Sequence, residues 1–533
     1  MLIDEKKLID SLKAGTLDID CTEITLTQDS HENPRIFRGP GYIRQGDNEE
    51  IIFKIYTDHP VQELEPLGTP GVLIPPDRFY NFNATDIQGY VWVGNRVLPL
   101  VSIRYLSNGT TTIVEGKIHT ITKEGKSLSR TATNVIVLRI FTDQEIPCHS
   151  ATVVETNVPD YHHHRLSTLN LVTITSCGSD FLLTMQPGEL TVEVWSDQPF
   201  SPHFDNRILE ALQFVLARRL QWRVLEKESE GKRITQLSSP IPLAKSRLQA
   251  PINLNEIRAR HWTWILFDNY LVFIANYTEQ VWHPCSVQLM MVYEASAGSI
   301  DAEILALSVA AEGLAKILFS TIVSVTEKFQ TTVNELKVVV DKWIEENTAA
   351  EKSGLSKRLS GLFSMLKEIR AVDRLLQLEQ LGIIESKHIN AWKKLRNAAA
   401  HAATPGTQEW QQLLDRRDLV LALLYRLIFH AIGYEGYCSD YGTRLWPVIE
   451  LPQHKIDTVL GEDGQITCTT RAFRHVLTYC GNPEQGNWKW QIRSQQSEEI
   501  EESGTGLNQA DAFRLARICA ENRHKNRVVR EKI

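Results

Sequence analysis

The chain has 533 residues, a formal net charge of -8 and 42% hydrophobic residues, an ordinary globular composition with room for about two to four domains. The mild acidity argues against a protein that coats nucleic acid non-specifically, although a local basic site is compatible with it because steering depends on the local field. Eight cysteines without a C-x-x-C pair, a charged N-terminus and the lack of an apolar run of about 18 residues predict a cytoplasmic protein with reduced thiols and no membrane span.

Residues 1–158 are predicted to form a β-rich domain. Five segments rich in β-branched and aromatic residues alternate with turn clusters such as RGPG and SNGT. These segments cover residues 22–28, 49–57, 89–95, 111–121 and 134–142. Short strands at this spacing predict an antiparallel sandwich or barrel.

Residues 159–297 mix strand and helix patterns, which predicts a separate α+β domain. The expected elements are strands at 169–176 and 189–196, an amphipathic helix at 204–222 capped by Asp205 or Asn206, and two further segments at 261–268 and 281–295. The last of these starts like a strand.

Residues 298–452 are predicted to form an all-α bundle. Apolar residues recur at i, i+3, i+4 and i+7 in five segments, namely 299–319, 326–347, 355–382, 386–403 and 409–434. Helices of this length joined by short polar loops pack as a bundle.

Residues 456–533 return to strands, at 465–470 and 487–494, and end in a helix at 508–523. This pattern predicts a small ββα unit with a basic tail. The tail could clamp an RNA backbone while Trp488 and Trp490 stack on bases, or the two tryptophans could be core residues of the unit. The fold class is therefore multidomain α+β.

The helix at 386–403 contains WKKLRNAAAHAA, a stretch that is unusually rich in basic residues and alanines. Its apolar stripe runs through Ile389, Trp392 and Leu395. On an ideal helix Arg396 lies about 140° from His401. The two groups can therefore meet if the helix distorts near its end, or if they belong to two copies related by a symmetry axis.

Arg396, Asn397 and His401 are chemically suited to attack of a ribose 2′-hydroxyl on its neighbouring phosphodiester. His401 would move the proton, Arg396 would stabilise the charge on phosphorus, and Asn397 would orient the groups. Neither a metal nor a cofactor is needed. The alternative is structural, because a histidine at the end of a helix often meets the negative end of the dipole.

RNAAAH, at 396–401, resembles the R-N-x-x-x-H signature of HEPN domains. Residues 304–318 are similar to the opening helix of that family, with Glu312 as its acidic residue. GPGYI, with Gly39, Gly41 and Ile43, resembles a stretch in ApeA-like anti-phage HEPN proteins. The resemblance covers roughly residues 20–450.

The resemblance implies an all-α HEPN bundle and a metal-independent endoribonuclease that acts as a homodimer. Its implied partners are an RNA substrate, with tRNA as one candidate, and a phage-derived trigger of abortive infection. Carried over to this chain, the catalytic residues are Arg396, Asn397 and His401, with Glu312 as a weaker transfer. Lys393 and Lys394 could hold substrate phosphates or form a solvated helix face, and Glu312 could instead pair with Lys316 at i, i+4.

Other functions stay open. The bundle could be a non-catalytic dimerisation module, with the β domains recognising a phage or host protein. Pro76-Asp77 together with Glu115-Gly116-Lys117 is similar to the PD…ExK pattern of metal-dependent nucleases. The three histidines at 162–164 could bind a metal, but adjacent residues on an extended chain point in opposite directions, which favours an exposed linker.

Overall fold

The computed structural model gives the placement of most of the chain. The described residues are 3–30, 32–57, 71–106, 109–126, 134–158, 161–243, 245–256, 260–320, 327–347, 354–367, 369–401, 409–451, 457–460, 465–472, 475–482, 488–494, 499–506, 512, 515, 516 and 519. The chain forms two compact units. The first comprises Met1–Gln213, Arg219–Leu243 and Ile274–Val281, and the second comprises Phe214–Arg218, Ala244–Phe273 and Trp282–Ile533.

A large antiparallel sheet dominates the first unit, which begins with helix α1 (Ile3–Lys13). The strands are β1 Asp18–Gln28, β2 Ile36–Gln45, β3 Ile51–Thr57, β4 Tyr80–Asp86, β5 Val91–Val97, β6 Leu100–Leu106, β7 Gly109–Ile118, β8 Thr120–Lys126, β9 Asn134–Phe141, β10 Ser150–Val158, β11 Tyr161–Ser176, β12 Ser179–Gln186, β13 Glu189–Ser196, β14 Val224–Ser229 and β15 Lys232–Ser238. In the described ranges their order is β10-β11-β12-β13-β9-β14-β15-β8-β5-β4-β1-β2-β3-β7-β6.

The sheet runs across the predicted boundary between residues 158 and 159. That boundary falls inside the β10–β11 hairpin, where Val158 pairs with Tyr161. Strand β9, from the N-terminal side of the boundary, pairs with β13 and β14 from the other side. The prediction of an exposed linker at the three histidines is wrong, because they lie on β11.

Side chains alternate between buried and more exposed positions along the strands, as in β3 and β9, because successive residues of a strand point to opposite faces. Buried apolar residues of α1 and of most strands from β1 to β8, together with Val224 of β14 and Leu237 of β15, form one core. The five segments predicted as strands in residues 1–158 fall on strands of this sheet, although the one at 111–121 is divided between β7 and β8.

Gly39 and Gly41 are required by the close approach of β2 to β3. A Cβ atom on Gly39 would lie 2.0 Å from the carbonyl oxygen of Tyr56, and one on Gly41 would lie 1.9 Å from that of Lys54. Real Cβ atoms do not approach backbone oxygens so closely. The G-x-G pattern of this stretch therefore has a packing reason within the sheet.

Gly41→Ala is expected to destabilise the first unit by about 1–3 kcal/mol or more, because the added methyl group must push β3 away from β2. The matched control is Gly46→Ala, since a Cβ at Gly46 would meet its nearest neighbour at an ordinary 3.7 Å. Urea unfolding of the two variants checks the expectation. Equal midpoints for Gly41→Ala, Gly46→Ala and wild type would contradict it.

Helices dominate the second unit. Helix α2 (Phe204–Leu216) leads into it, and the others are α3 Arg260–Ala275, α4 Pro284–Ser296, α5 Ile300–Leu318, α6 Glu327–Glu346, α7 Leu355–Lys367, α8 Ala371–Gln380, α9 Ser386–His401 and α10 Glu409–Ala431. The chain is thus a mixed α+β protein with a large antiparallel sheet.

Two helix predictions need correction. The segment at 281–295 is helical and has no initial strand, because His283 caps α4 by accepting a hydrogen bond from the backbone N–H of Cys285, with Pro284 in the first turn. The segment at 355–382 is two helices. Helix α8 starts anew after Arg370, whose backbone N–H donates to Asp373 at 2.9 Å.

The described part of the second unit also contains two smaller sheets. Strands β16 (Tyr437–Ser439) and β17 (Val448–Glu450) pair with each other. The other small sheet is antiparallel and has five strands in chain order, namely β18 Asp457–Leu460, β19 Ile466–Ala472, β20 His475–Gly481, β21 Trp488–Ser494 and β22 Ile500–Gly506. Trp488 and Trp490 belong to its core with Tyr479, so the prediction that they stack on bases is wrong and their alternative role as core residues is confirmed. The prediction of a ββα unit with two strands is wrong, because these strands belong to a five-stranded sheet.

Candidate functional site

Helix α9 is anchored against α5 through its apolar stripe. Ile389, Trp392 and Leu395 are buried, as their three-residue spacing predicts. The indole Nε1 of Trp392 donates a hydrogen bond of 2.9 Å to the carbonyl oxygen of Ser308. The Ser308 hydroxyl in turn donates to the carbonyl oxygen of Ile304 at 2.9 Å. The buried ring therefore fixes the position of α9 along α5.

His388, one of two histidines on α9, is structural. It is fully buried, and its Nδ1 accepts a hydrogen bond of 3.0 Å from the backbone N–H of Glu385 at the start of the helix. Burial, together with the nearby charge of Arg426, lowers the pKa of His388 to about 4. The imidazole is neutral near pH 7, so it stabilises the helix start without carrying charge.

Arg396 and Glu312 form an ion pair between α9 and α5. The Arg396 Nη2 atom lies 3.1 Å from Oε2 of Glu312, and the Lys316 Nζ atom lies 2.8 Å from Oε1 of the same carboxylate. The i, i+4 pair of Glu312 with Lys316 is thus present, and Glu312 also contacts the arginine of the RNAAAH motif. The Glu312 carboxylate therefore pairs with both cations, Lys316 and Arg396.

Trp392 is the second group that positions Arg396. The guanidinium carbon lies 5.5 Å from the centroid of the Trp392 ring, within the range of a cation–π contact. The Arg396 side chain nevertheless keeps 57% of its surface exposed, against 22% for Glu312. The guanidinium is therefore held on two sides and open to solvent on the rest.

The other predicted residues of the motif lie on the same helix. Lys393 and Lys394 are exposed, as both the phosphate-binding and the solvated-face interpretations require. Asn397 and His401 belong to α9, which ends at His401, and their side chains lie outside the described residues.

The C-terminal end of α5 is held by Arg374 of α8. Its Nε donates to the carbonyl oxygen of Phe319 at 3.1 Å, and its Nη1 donates to that of Ile369 at 2.9 Å. A cation at a helix C-terminus satisfies a carbonyl that has no partner within the helix. The sequence does not predict this contact, because its only signal is a basic side chain on a neighbouring amphipathic helix.

The two acidic residues of the metal-nuclease pattern lie on separate elements. Asp77 lies in a short exposed 3₁₀ turn, while Glu115 on β7 pairs with Lys54 at 3.1 Å. Lys117, the last residue of the pattern, pairs with Glu50 at 2.8 Å. Over the described ranges, His, Cys, Asp and Glu side chains form no group of three that could hold a metal ion.

A scan against models of known protein families gives no match, and searches of curated proteins and of solved structures give none either. The similarity to ApeA-like HEPN proteins therefore rests on the motifs alone. Among the described residues, every helix is too short or too polar to cross a lipid bilayer.

Proposed function

We propose that the protein is a metal-independent endoribonuclease of the HEPN type, built on an all-α bundle that includes α5, α9 and α10. The observation that supports this most is the exposed Arg396 guanidinium, positioned by Glu312 and Trp392 on the helix that ends at His401. An arginine held in this way can bind a phosphate through the solvent-exposed edge of its guanidinium group.

The reaction is transfer within the RNA backbone. His401 takes the proton of a ribose 2′-hydroxyl, whose oxygen attacks the adjacent phosphorus. The bond from phosphorus to the 5′-oxygen of the next nucleotide breaks, and that oxygen takes up the proton that His401 gives back. Arg396 stabilises the negative charge that builds on the phosphoryl oxygens, and Asn397 orients the reacting groups. The products are a 2′,3′-cyclic phosphate and a 5′-hydroxyl.

Two copies of the chain complete the active site in this proposal. Arg396 and His401 lie five positions apart on α9, so an ideal helix separates them by about 140°. Arg396 of one copy and His401 of the other would act on the same phosphodiester. The β-rich first unit would sense a phage-derived trigger in the cytoplasm and restrain cleavage until infection.

A second function is favoured by the same ion pair. Because Glu312 already pairs with both Lys316 and Arg396, the arginine could serve only to join α5 and α9. The bundle would then be a binding module, and the first unit would recognise a phage or host protein. Incubation of RNA with purified protein in EDTA, wild type beside His401→Ala, separates the two functions, since only the ribonuclease yields cyclic-phosphate ends.

A further inference from the structure

Lys316 is the second cation that contacts the Glu312 carboxylate. It lies in the last turn of α5, and its Nζ atom is 2.8 Å from Oε1 of Glu312, while Nη2 of Arg396 is 3.1 Å from Oε2. The side chains of Lys316 and Arg396 are 53% and 57% exposed. One partly buried carboxylate therefore holds two exposed cations close to each other.

Both cations keep hydrogen-bond donors in addition to those that face Glu312. An ammonium group has three N–H donors, and a guanidinium group has five. Each cation contacts the carboxylate through one nitrogen atom. Because more than half of each side chain is exposed, its remaining donors can bind an anion from solvent while both ion pairs stay in place.

The charge around this carboxylate is positive. Two cations share one anion, and helix α9 itself has four basic residues and no acidic one, in a chain whose net charge is -8. One of the four, Lys387, pairs with Glu385 just before the helix. A local excess of positive charge attracts anionic ligands even to an acidic protein.

Two cations held close together suit a ligand with neighbouring negative charges. The backbone of a nucleic acid strand carries one phosphate per nucleotide, and basic side chains bind it without reading its sequence. Arginine binds a phosphate through its planar fork, whereas lysine binds as a point charge. The chemistry of the pair therefore fits two consecutive phosphates of one strand.

We propose that Lys316 is a substrate-binding residue, which holds the phosphate next to the one on Arg396 in a bound RNA strand. Glu312 keeps the two cations together, because its negative charge reduces their mutual repulsion. The place of this phosphate beside the cleaved bond rests on the proposed function, whereas binding of the strand does not.

A purely structural role of Lys316 predicts a different result. Its i, i+4 pair with Glu312 and its position near the negative end of the helix dipole both support α5. Exposed contacts of this kind add little to stability. Lys316→Gln should therefore fold as the wild type does, which circular dichroism checks, so that a change in RNA binding reports a lost contact.

The test is binding of the full chain to a single-stranded 2′-O-methyl RNA of about 12 nucleotides, followed by fluorescence anisotropy over a range of salt concentrations. This probe cannot react in the proposed way, because its 2′-oxygens carry no proton. Lys316→Gln is expected to lower the affinity about three- to tenfold at low salt. The slope of log K against log salt should become shallower by about 0.7, which corresponds to one lost phosphate contact on a single strand.

Two further variants define the outcome. Lys316→Arg keeps the charge and should retain most of the affinity. Lys342→Gln is the matched control, because Lys342 is an exposed lysine on α6, and it should bind as the wild type does. The proposal is overturned if Lys316→Gln has the wild-type affinity and slope, if Lys342→Gln loses as much affinity, or if the wild type does not bind the probe at low salt.

Cleavage kinetics distinguish the role of Lys316 from that of Arg396. Lys316→Gln should raise the KM for RNA about three- to tenfold and leave kcat nearly unchanged, because its contact is equally strong with the substrate and with the transition state. Arg396→Ala should lower kcat, since its contact strengthens as charge builds on phosphorus. A Lys316→Gln variant with lowered kcat and unchanged KM would contradict the binding role.

The result is separable from that of the proposed function. If the probe binds through Lys316 while the wild type cuts no RNA, the phosphate site stands and the ribonuclease does not. If cleavage depends on His401 while Lys316→Gln leaves both the affinity for the probe and the KM unchanged, the reverse holds.

Discussion

Replacing His401 by alanine is expected to reduce RNA cleavage by about 10²- to 10⁴-fold, the usual contribution of a positioned acid or base. Arg396→Ala should reduce it by about 10²- to 10³-fold, because it removes preorganised charge stabilisation at phosphorus. Rates of cleavage of total RNA by purified protein in EDTA provide the measurement.

Two controls separate a catalytic effect from a structural one. Asn390→Ala changes an exposed residue in the first half of α9 and should leave the rate unchanged. Glu312→Gln removes the ion pair of Arg396 but keeps the guanidinium, so it should lower the rate less than Arg396→Ala does. Because the Arg396 side chain of this pair is 57% exposed, loss of the pair should cost less than about 1 kcal/mol of stability. Equal cleavage by wild type and His401→Ala would refute the assignment.

Arg417→Met is expected to destabilise the helical unit by about 3–5 kcal/mol, the largest effect on stability that we anticipate. Arg417 of α10 is 5% exposed, and its Nε donates to Oε1 of Glu303 on α5 at 2.6 Å. Its Nη1 donates to Gln249 at 2.6 Å and to Asp418 at 2.7 Å. Removing the guanidinium would leave the buried carboxylate of Glu303 without its cation.

A double-mutant cycle distinguishes that penalty from lost packing. Changing both Arg417 and Glu303 to methionine removes the buried charges together, so the double variant should be much more stable than Arg417→Met alone. Urea unfolding followed by the helical circular dichroism signal gives the comparison. If the two single effects simply add, the buried pair is not the cause.

Local sequence patterns predicted the helices better than the contacts between them. The spacing of Ile389, Trp392 and Leu395 predicted which side of α9 is buried, because helical periodicity is a property of neighbouring residues. The contact of Arg396 with Glu312 joins positions far apart in the chain. No local pattern could show it, although the i, i+4 spacing did predict the pair of Glu312 with Lys316.

In the large sheet, too, local patterns predicted the elements but not the contacts between them. Strand patterns located β9 and β13 but not their pairing, since alternation predicts a strand and does not identify its neighbour. The predicted domain boundary at residue 158 lies where strand patterns give way to a mixture of strand and helix patterns, and the β10–β11 hairpin spans it. At α4, the aromatic and β-branched residues around Trp282 favoured a strand, whereas His283 and Pro284 begin a helix through capping.

Mixing two inactive variants tests the composite active site most directly. Arg396→Ala and His401→Ala, each inactive alone, are combined under conditions that allow subunits to exchange. If Arg396 of one copy works with His401 of the other, mixed pairs contain one intact site, and the sample should recover roughly a quarter of the wild-type cleavage rate. A mixture that stays as inactive as its components, with exchange confirmed by differently tagged chains, would contradict an active site shared between two copies.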